Sequence, residues 1–256
     1  MCGKIGEYAY RVESFHLDCT EHLSLSVLGN QILNAAARHA ESCGFGRETM
    51  RSQGLAWVFS RLLIQMEHYP LEFDTYTIRT WIADVTCGFS HRNFAILDAT
   101  GQVVGYASSV WALMDLSTRQ AVDLMAAVPG YVFSVCTADE LPPCPLERTR
   151  RVRVDNASPS LSFRPLFCDI DYNGHFNSIR YIEYFLNALP MDVCSTHPVS
   201  RIEISYSIEC HYGEPLDIYS KSSHDSEYDM EMRRADGAVA CRAKVTFSLD
   251  NINPIY

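Results

Sequence analysis

Between Cys168 and Asn177 the chain reads Cys-Asp-Ile-Asp-Tyr-Asn-Gly-His-Phe-Asn, so that Asp171, Asn173 and His175 gather a carboxylate, an amide and an imidazole within five residues. A carboxylate can orient a neighbour, an amide can donate to an oxygen that is gaining charge, and an imidazole titrates near neutral pH. Placed just ahead of a helical pattern, where free backbone N–H groups favour negative charge, the three could polarise a carbonyl. Asp, Asn and Gly are also favoured in caps and turns for conformational reasons alone. Other chemistries lose their signal: there is no G-x-S-x-G, G-x-x-x-x-G-K-[ST], G-x-G-x-x-G or H-E-x-x-H, and the nine histidines and ten cysteines lack metal-ligand spacing. His22 and His175 stand at equivalent points ahead of two helical patterns, without a cluster of ligands around either. Neither metal nor cofactor is expected.

The elements that position such a cluster can be read from periodicity. Apolar Leu25, Leu28, Ile32, Ala36 and Ala40 predict a helix over 25–40. From 55 to 66 the period becomes two, with Ala56, Val58, Leu62, Ile64 and Met66 on one face, and strands follow at 75–85, 89–98 and 103–115. The second half repeats the order: a helix over 176–189, then strands at 201–210, 215–222, 227–234 and 239–249. Superposing the halves pairs Ser60-Arg61 with Ser200-Arg201, Leu33-Asn34-Ala35 with Leu186-Asn187-Ala188, and Gly101 with Gly237, at offsets of 140, 153 and 136 residues. Residues 135–160, with four prolines and the run Arg148-Thr-Arg150-Arg151-Val-Arg153, read as a linker between the copies. Strands joined by short turns build antiparallel sheets, so the expected class is α+β, each half a long helix wrapped by a sheet: residues 1–134, a linker at 135–160, and residues 161–256.

Composition narrows the function classes. Hydrophobic residues make up 47% and charged residues 20% of the 256, which fits a globular chain and excludes a disordered or fibrous one. The formal net charge of −10 disfavours non-specific nucleic-acid or anionic-membrane binding. The opening residues intersperse charges and carry no apolar run of secretory length, so a cytoplasmic setting is expected, and no stretch is apolar enough for a membrane span. The scattered cysteines read as reduced thiols, mostly buried.

The run from Asp169 to Glu183, Asp-Ile-Asp-Tyr-Asn-Gly-His-Phe-Asn-Ser-Ile-Arg-Tyr-Ile-Glu, resembles the D-x-D-x-N-x-H-x-N-N-x-x-Y signature of the fatty acyl-acyl carrier protein thioesterases, with Ser178 in place of the second family asparagine. Further similarity lies at residues 34–45, 57–70, at Trp81 and at Ile208-Glu209-Cys210, so that it runs from about residue 7 to 250. The resemblance implies a double hotdog, two helix-in-sheet units in one chain, with the acyl-chain pocket mainly in the first and the catalytic residues in the second. It implies hydrolysis of fatty acyl-acyl carrier protein to free fatty acid, with no metal or coenzyme. Its functional positions fall on Asp171, Asn173, His175, Glu209 and Cys210.

Thioester hydrolysis needs a nucleophile, a base and donors at the oxyanion. Glu209 with water is the favoured base and nucleophile, with His175 an alternative base. Alternation along 201–210 places Ile202, Ile204, Tyr206, Ile208 and Cys210 on one face and Glu209 on the other, unless a bulge intervenes, so Cys210 reads as a neighbour in the core; a Cys–His–Asp nucleophilic arrangement stays open. The acyl chain is assigned to Leu28, Ile32, Trp57 and Phe59, and docking of the acidic carrier to Arg148, Arg150, Arg151 and Arg153. An acyl-coenzyme A thioesterase, a dehydratase of the same architecture and a non-catalytic fatty acyl-binding module are the competing readings, and assembly as a homodimer stays open.

Overall fold

The computed structural model describes residues 3–147, 152–155, 158–224 and 226–249. Its contacts divide the chain into two units, Met1–Glu13 with Gly29–Glu147, and Ser14–Leu28 with Arg148–Tyr256. In the first, strands β1 (Ile5–Arg11), β2 (Leu55–Met66), β3 (Thr75–Thr86), β4 (Phe89–Leu97) and β5 (Val103–Asp115) pair antiparallel in the order β1-β3-β4-β5-β2. In the second, β6 (Leu161–Phe163), β7 (Val199–Tyr206), β8 (Leu216–His224), β9 (Glu227–Arg234) and β10 (Val239–Phe247) run β6-β8-β9-β10-β7. Each strand of the second unit occupies the place of its counterpart in the first. The duplication read from sequence is therefore a duplication of topology, and the chain is a double hotdog.

Helix α1 (Leu25–Ser42) buries one stripe, with Leu28, Ile32 and Ala35 wholly enclosed. It ends where Gly44, at φ +81°, accepts a left-handed turn that a side chain would strain. Short helices α2 (Arg47–Ser52) and α3 (Leu124–Ala127) follow, the latter capped by the Asp123 carboxylate, which accepts from Met125 and Ala126 N–H. Phe45, Met50, Leu55, Ile82, Leu113, Leu124 and Tyr131 form an apolar cluster that Trp57 joins. In the second unit α4 (Arg180–Asn187) buries Tyr181, Ile182 and Phe185, each contributing about 1.5–3 kcal/mol by leaving water. Tyr184 stacks on Phe163 of β6, and Tyr181 meets Tyr206 of β7 edge-on. Helix α5 (Met191–Thr196) leads into β7.

Several expectations shift. Strands β1 and β6 were not foreseen, because β1 is an edge strand with no buried residue and β6 has three residues. The pairing of β2 with β5 slips between Phe59 and Arg61, so a single face does not run from Ala56 to Met66; Leu55 and Trp57 point into the cluster before the slip, and Leu62, Ile64 and Met66 are buried after it. The second helix begins at Arg180, not at 176. Strand β7 stops at Tyr206, where Ser207 and Ile208 N–H both donate to Ala240 O, and Ile208 turns 37% exposed against the expected alternation. Among the described cysteines three are buried (Cys136, Cys210, Cys241), three are exposed, and Cys43 is disulfide-bonded, so the expectation of reduced, mostly buried thiols is too simple. The described part of the linker is mostly exposed but anchored at two points: Cys136 N–H donates to Ile82 O, and Val154 is 1% exposed with its carbonyl accepting from Arg233.

Candidate active site

The cluster at 169–177 is built as a turn, not as a helix terminus. A 3-10 turn over Phe167–Asp169 leads into a bridge between Ile170 and Phe176, and between them Asp171 N–H donates to His175 O at 2.8 Å and Gly174 N–H to Asp171 O at 3.0 Å. Gly174 takes φ +81°, the position of such a turn that glycine fills without strain. The Asp171 carboxylate accepts from the backbone N–H of Asn173 at 2.8 Å and of His175 at 3.2 Å, so it holds the turn and not the imidazole. Asp169, 8% exposed, accepts from Leu166 N–H and from the Tyr184 hydroxyl at 3.0 Å, tying the turn to α4. The N–H groups of a helix start lie at α4, past Ile179, so the expected electrostatic assistance from a helix end does not fall on this turn, whose Asp171, Asn173, Gly174 and His175 N–H groups all donate within it.

Glu209 reaches this turn from the segment that follows β7. Phe176 N–H donates to Cys210 O at 2.7 Å, which fastens the segment after β7 against the turn, and His175 Nε2 then lies 3.4 Å from Glu209 Oε2. Their side chains are 27% and 39% exposed, open enough for water to reach both. Asn173 lies on the same turn and is exposed, its backbone N–H held by Asp171. Cys210 differs: it is fully buried, burial pushes its thiol pKa up while the Tyr181 hydroxyl opposes the rise, and its Sγ faces Ile208 O. The structure thus brings Asp171, Asn173, His175 and Glu209 to one surface and encloses the Cys210 thiol beneath it.

His211 was not singled out from sequence. Its ring meets that of His175 edge-on, centroids 5.2 Å apart, and its Nδ1 lies 3.5 Å from Gly174 O. Its only sequence signal is adjacency to Glu209-Cys210.

The residues assigned to the acyl chain are apolar and packed: Leu28 and Ile32 are wholly buried on α1, Trp57 donates to Phe45 O at 2.9 Å, and Phe59 packs at a tilt against Trp111. Of the arginine run, Arg148, Arg150 and Arg151 lie outside the described residues. Arg153 is exposed, pairs with Asp155 at 3.1 Å and lines a cleft of about 830 Å³ on the outer face of β8–β10, where Glu231 also holds Arg233 and Arg242. Among the described residues no group of three or more His, Cys, Asp or Glu side chains could hold a metal, and no helix is long and apolar enough to cross a membrane.

Comparison with known proteins places this geometry. Residues 3–128 match the acyl-ACP thioesterase N-terminal domain and residues 153–249 the acyl-ACP thioesterase C-terminal domain. A crystal structure of an acyl-ACP thioesterase from Bacteroides thetaiotaomicron is 36% identical with a TM-score of 0.86, covering 96% of this chain and 98% of that one. The 12:0-ACP thioesterase from Umbellularia californica, 22% identical with a TM-score of 0.80 over 97% of this chain and 98% of its own, shows the shared fold. An Arabidopsis thaliana oleoyl-acyl carrier protein thioesterase, chloroplastic by name, is 26% identical over 240 residues, 89% of this chain and 65% of its own length. A second from the same plant is 27% identical over 84% of this chain and 63% of its own, so the chain spans just under two thirds of these curated relatives. Both halves match the two domains of one family in order, and the chain belongs to the acyl-ACP thioesterases.

Proposed function

We propose that this chain hydrolyses the thioester between a fatty acyl group and the phosphopantetheine arm of acyl carrier protein, releasing free fatty acid. The observation that carries the reading is the solvent-open pairing of His175 with Glu209 beside Asn173. A water held by Glu209 gives its proton to the carboxylate as its oxygen attacks the carbonyl carbon. The Asn173 amide donates to the oxyanion, His175 orients Glu209, and collapse returns the proton to the departing thiolate. His175 as the base is the variant in which the same proton goes to the ring. Cys210, enclosed and with its thiol pKa raised, serves as a packing neighbour. Leu28, Ile32, Trp57 and Phe59 are assigned to the acyl chain, within residues 1–134, with catalysis in 161–256. The run Arg148 to Arg153 at 135–160 is assigned to the acidic carrier on charge alone, and the setting to the cytoplasm.

The test is fatty acid release from one acyl chain carried by acyl carrier protein and by coenzyme A, across a range of chain lengths. The carrier-protein thioester is expected to show a kcat/KM at least about tenfold higher, because only it offers a protein surface to bind. Equal or better turnover of the coenzyme A thioester makes the chain an acyl-coenzyme A thioesterase. Tight binding with no release from either makes it an acyl-binding module.

A further inference from the structure

We propose that His211 is a positioning residue that holds the His175 imidazole towards Glu209. The inference rests on the hydrolase reading, since it concerns the same site. The backbone of His175 is fixed twice by Asp171, but those bonds leave the ring to turn about its own Cβ–Cγ axis, a torsion with a broad minimum. One contact, Nε2 to Glu209 Oε2 at 3.4 Å, faces one edge of the ring. In most histidine-dependent sites the second nitrogen is held by a carboxylate or carbonyl, which sets tautomer and orientation. Here the carboxylate of the turn itself, Asp171, accepts the backbone N–H groups of Asn173 and His175 instead.

His211 supplies the missing constraint by packing. Its ring lies edge-on to His175 at 5.2 Å and 67°, within the range where aromatic pairs attract. His211 is itself held: its backbone N–H donates to Glu214 Oε2 at 3.0 Å, and the preceding carbonyl, Cys210 O, accepts from Phe176. Its Nδ1 lies 3.5 Å from Gly174 O, a carbonyl that can only accept from it. The two rings therefore link the turn to the segment after β7, and turning the His175 ring would break their edge-on contact.

The test separates ring packing from a general structural role. In H211A, kcat for a carrier-protein thioester should fall about tenfold with KM changed by less than about twofold, the pattern of a group displaced in the transition state. H211F keeps the ring without the Nδ1–H and should recover kcat to within about twofold of wild type. In wild type and variants, ¹H–¹⁵N correlation spectra of the side-chain imidazoles report His175 directly, and its ring signals should broaden or shift in H211A and return in H211F. An unchanged kcat in H211A, a loss confined to KM, or H211F as impaired as H211A overturns the proposal. If the wild-type chain releases no fatty acid from any thioester, the hydrolase reading falls, and the His175 ring signals still decide whether His211 holds the ring.

Discussion

The same turn is built twice in this chain, once with a ring that meets a carboxylate and a second ring from another segment, and once with a ring folded back on its own turn. At 17–23, as at 170–176, a 3-10 turn leads into a bridge, here Leu17 to Leu23. Asp18 N–H donates to His22 O at 2.9 Å, Glu21 N–H to Asp18 O at 3.1 Å, and Thr20 N–H to the Asp18 carboxylate at 2.9 Å. Asp18, Thr20, Glu21 and His22 thus stand where Asp171, Asn173, Gly174 and His175 stand, 153 residues on. But His22 Nδ1–H donates to Thr20 O at 2.6 Å, within its own turn, and the Thr20 side chain is buried donating to Asp18. The strand exits repeat as well: Glu67 and His68 N–H share Val104 O after β2 as Ser207 and Ile208 share Ala240 O after β7. Two residues beyond the first of each pair, the first half has Tyr69 and the second Glu209. The turn is a scaffold; the candidate chemistry comes from directing the imidazole out of its own turn and supplying a carboxylate opposite it.

The sharpest way to break this comparison is to treat the two histidines alike. His175→Ala should lower kcat by about 10²-fold or more, whereas His22→Ala should leave kcat within about twofold, measured on one carrier-protein thioester. Equal losses would place chemistry in both turns. A smaller effect sharpens it: Asp171→Ala and Asp18→Ala each remove backbone bonds to a carboxylate and should each cost about 1–2 kcal/mol of stability by denaturant midpoint at constant slope, with activity lost only at Asp171. The smallest concerns backbone alone. Glu21 adopts φ 58° where the second turn has Gly174 at 81°, with nothing within 4 Å of an added Cβ. Glu21→Gly should therefore gain up to about 1 kcal/mol and Gly174→Ala lose about 1 kcal/mol in the same measurement.

What the sequence makes legible follows from burial. Strands β2 to β5 and β7 to β10 show period two because one face of each meets a core, and α1 shows its stripe for the same reason. β1 hides because its residues alternate between exposed and half-buried, with charged Glu7 and Arg11 among them. The start of α4 is misread because Phe176 and Ile179, both buried, satisfy a helical spacing, while the Phe176 backbone bridges Ile170 and bonds Cys210 O and the Asn177 side chain accepts from Ile179 N–H, so helical bonding begins only at Arg180. The end of β7 is misread because apolar Ile208 continues the alternation past the point where the ladder slips. Asp171, Asn173, His175 and Glu209 were reachable through motif resemblance, but nothing local in sequence reveals that Asp171 serves the backbone. His211 acquires its place beside the site through contacts with His175 and Gly174, the latter 37 residues earlier.

The assignment of Ser14–Leu28 to the second unit bears on the order in which the protein is made. A ribosome adding roughly 5–20 residues per second completes this segment tens of seconds before the last strand of that unit emerges. During that interval the turn at 17–23 has no finished unit to join, while β1 to β5 can already pair. Closing the second unit then recruits a stretch from near the beginning of the chain, a contact of high sequence separation of the kind that slows folding.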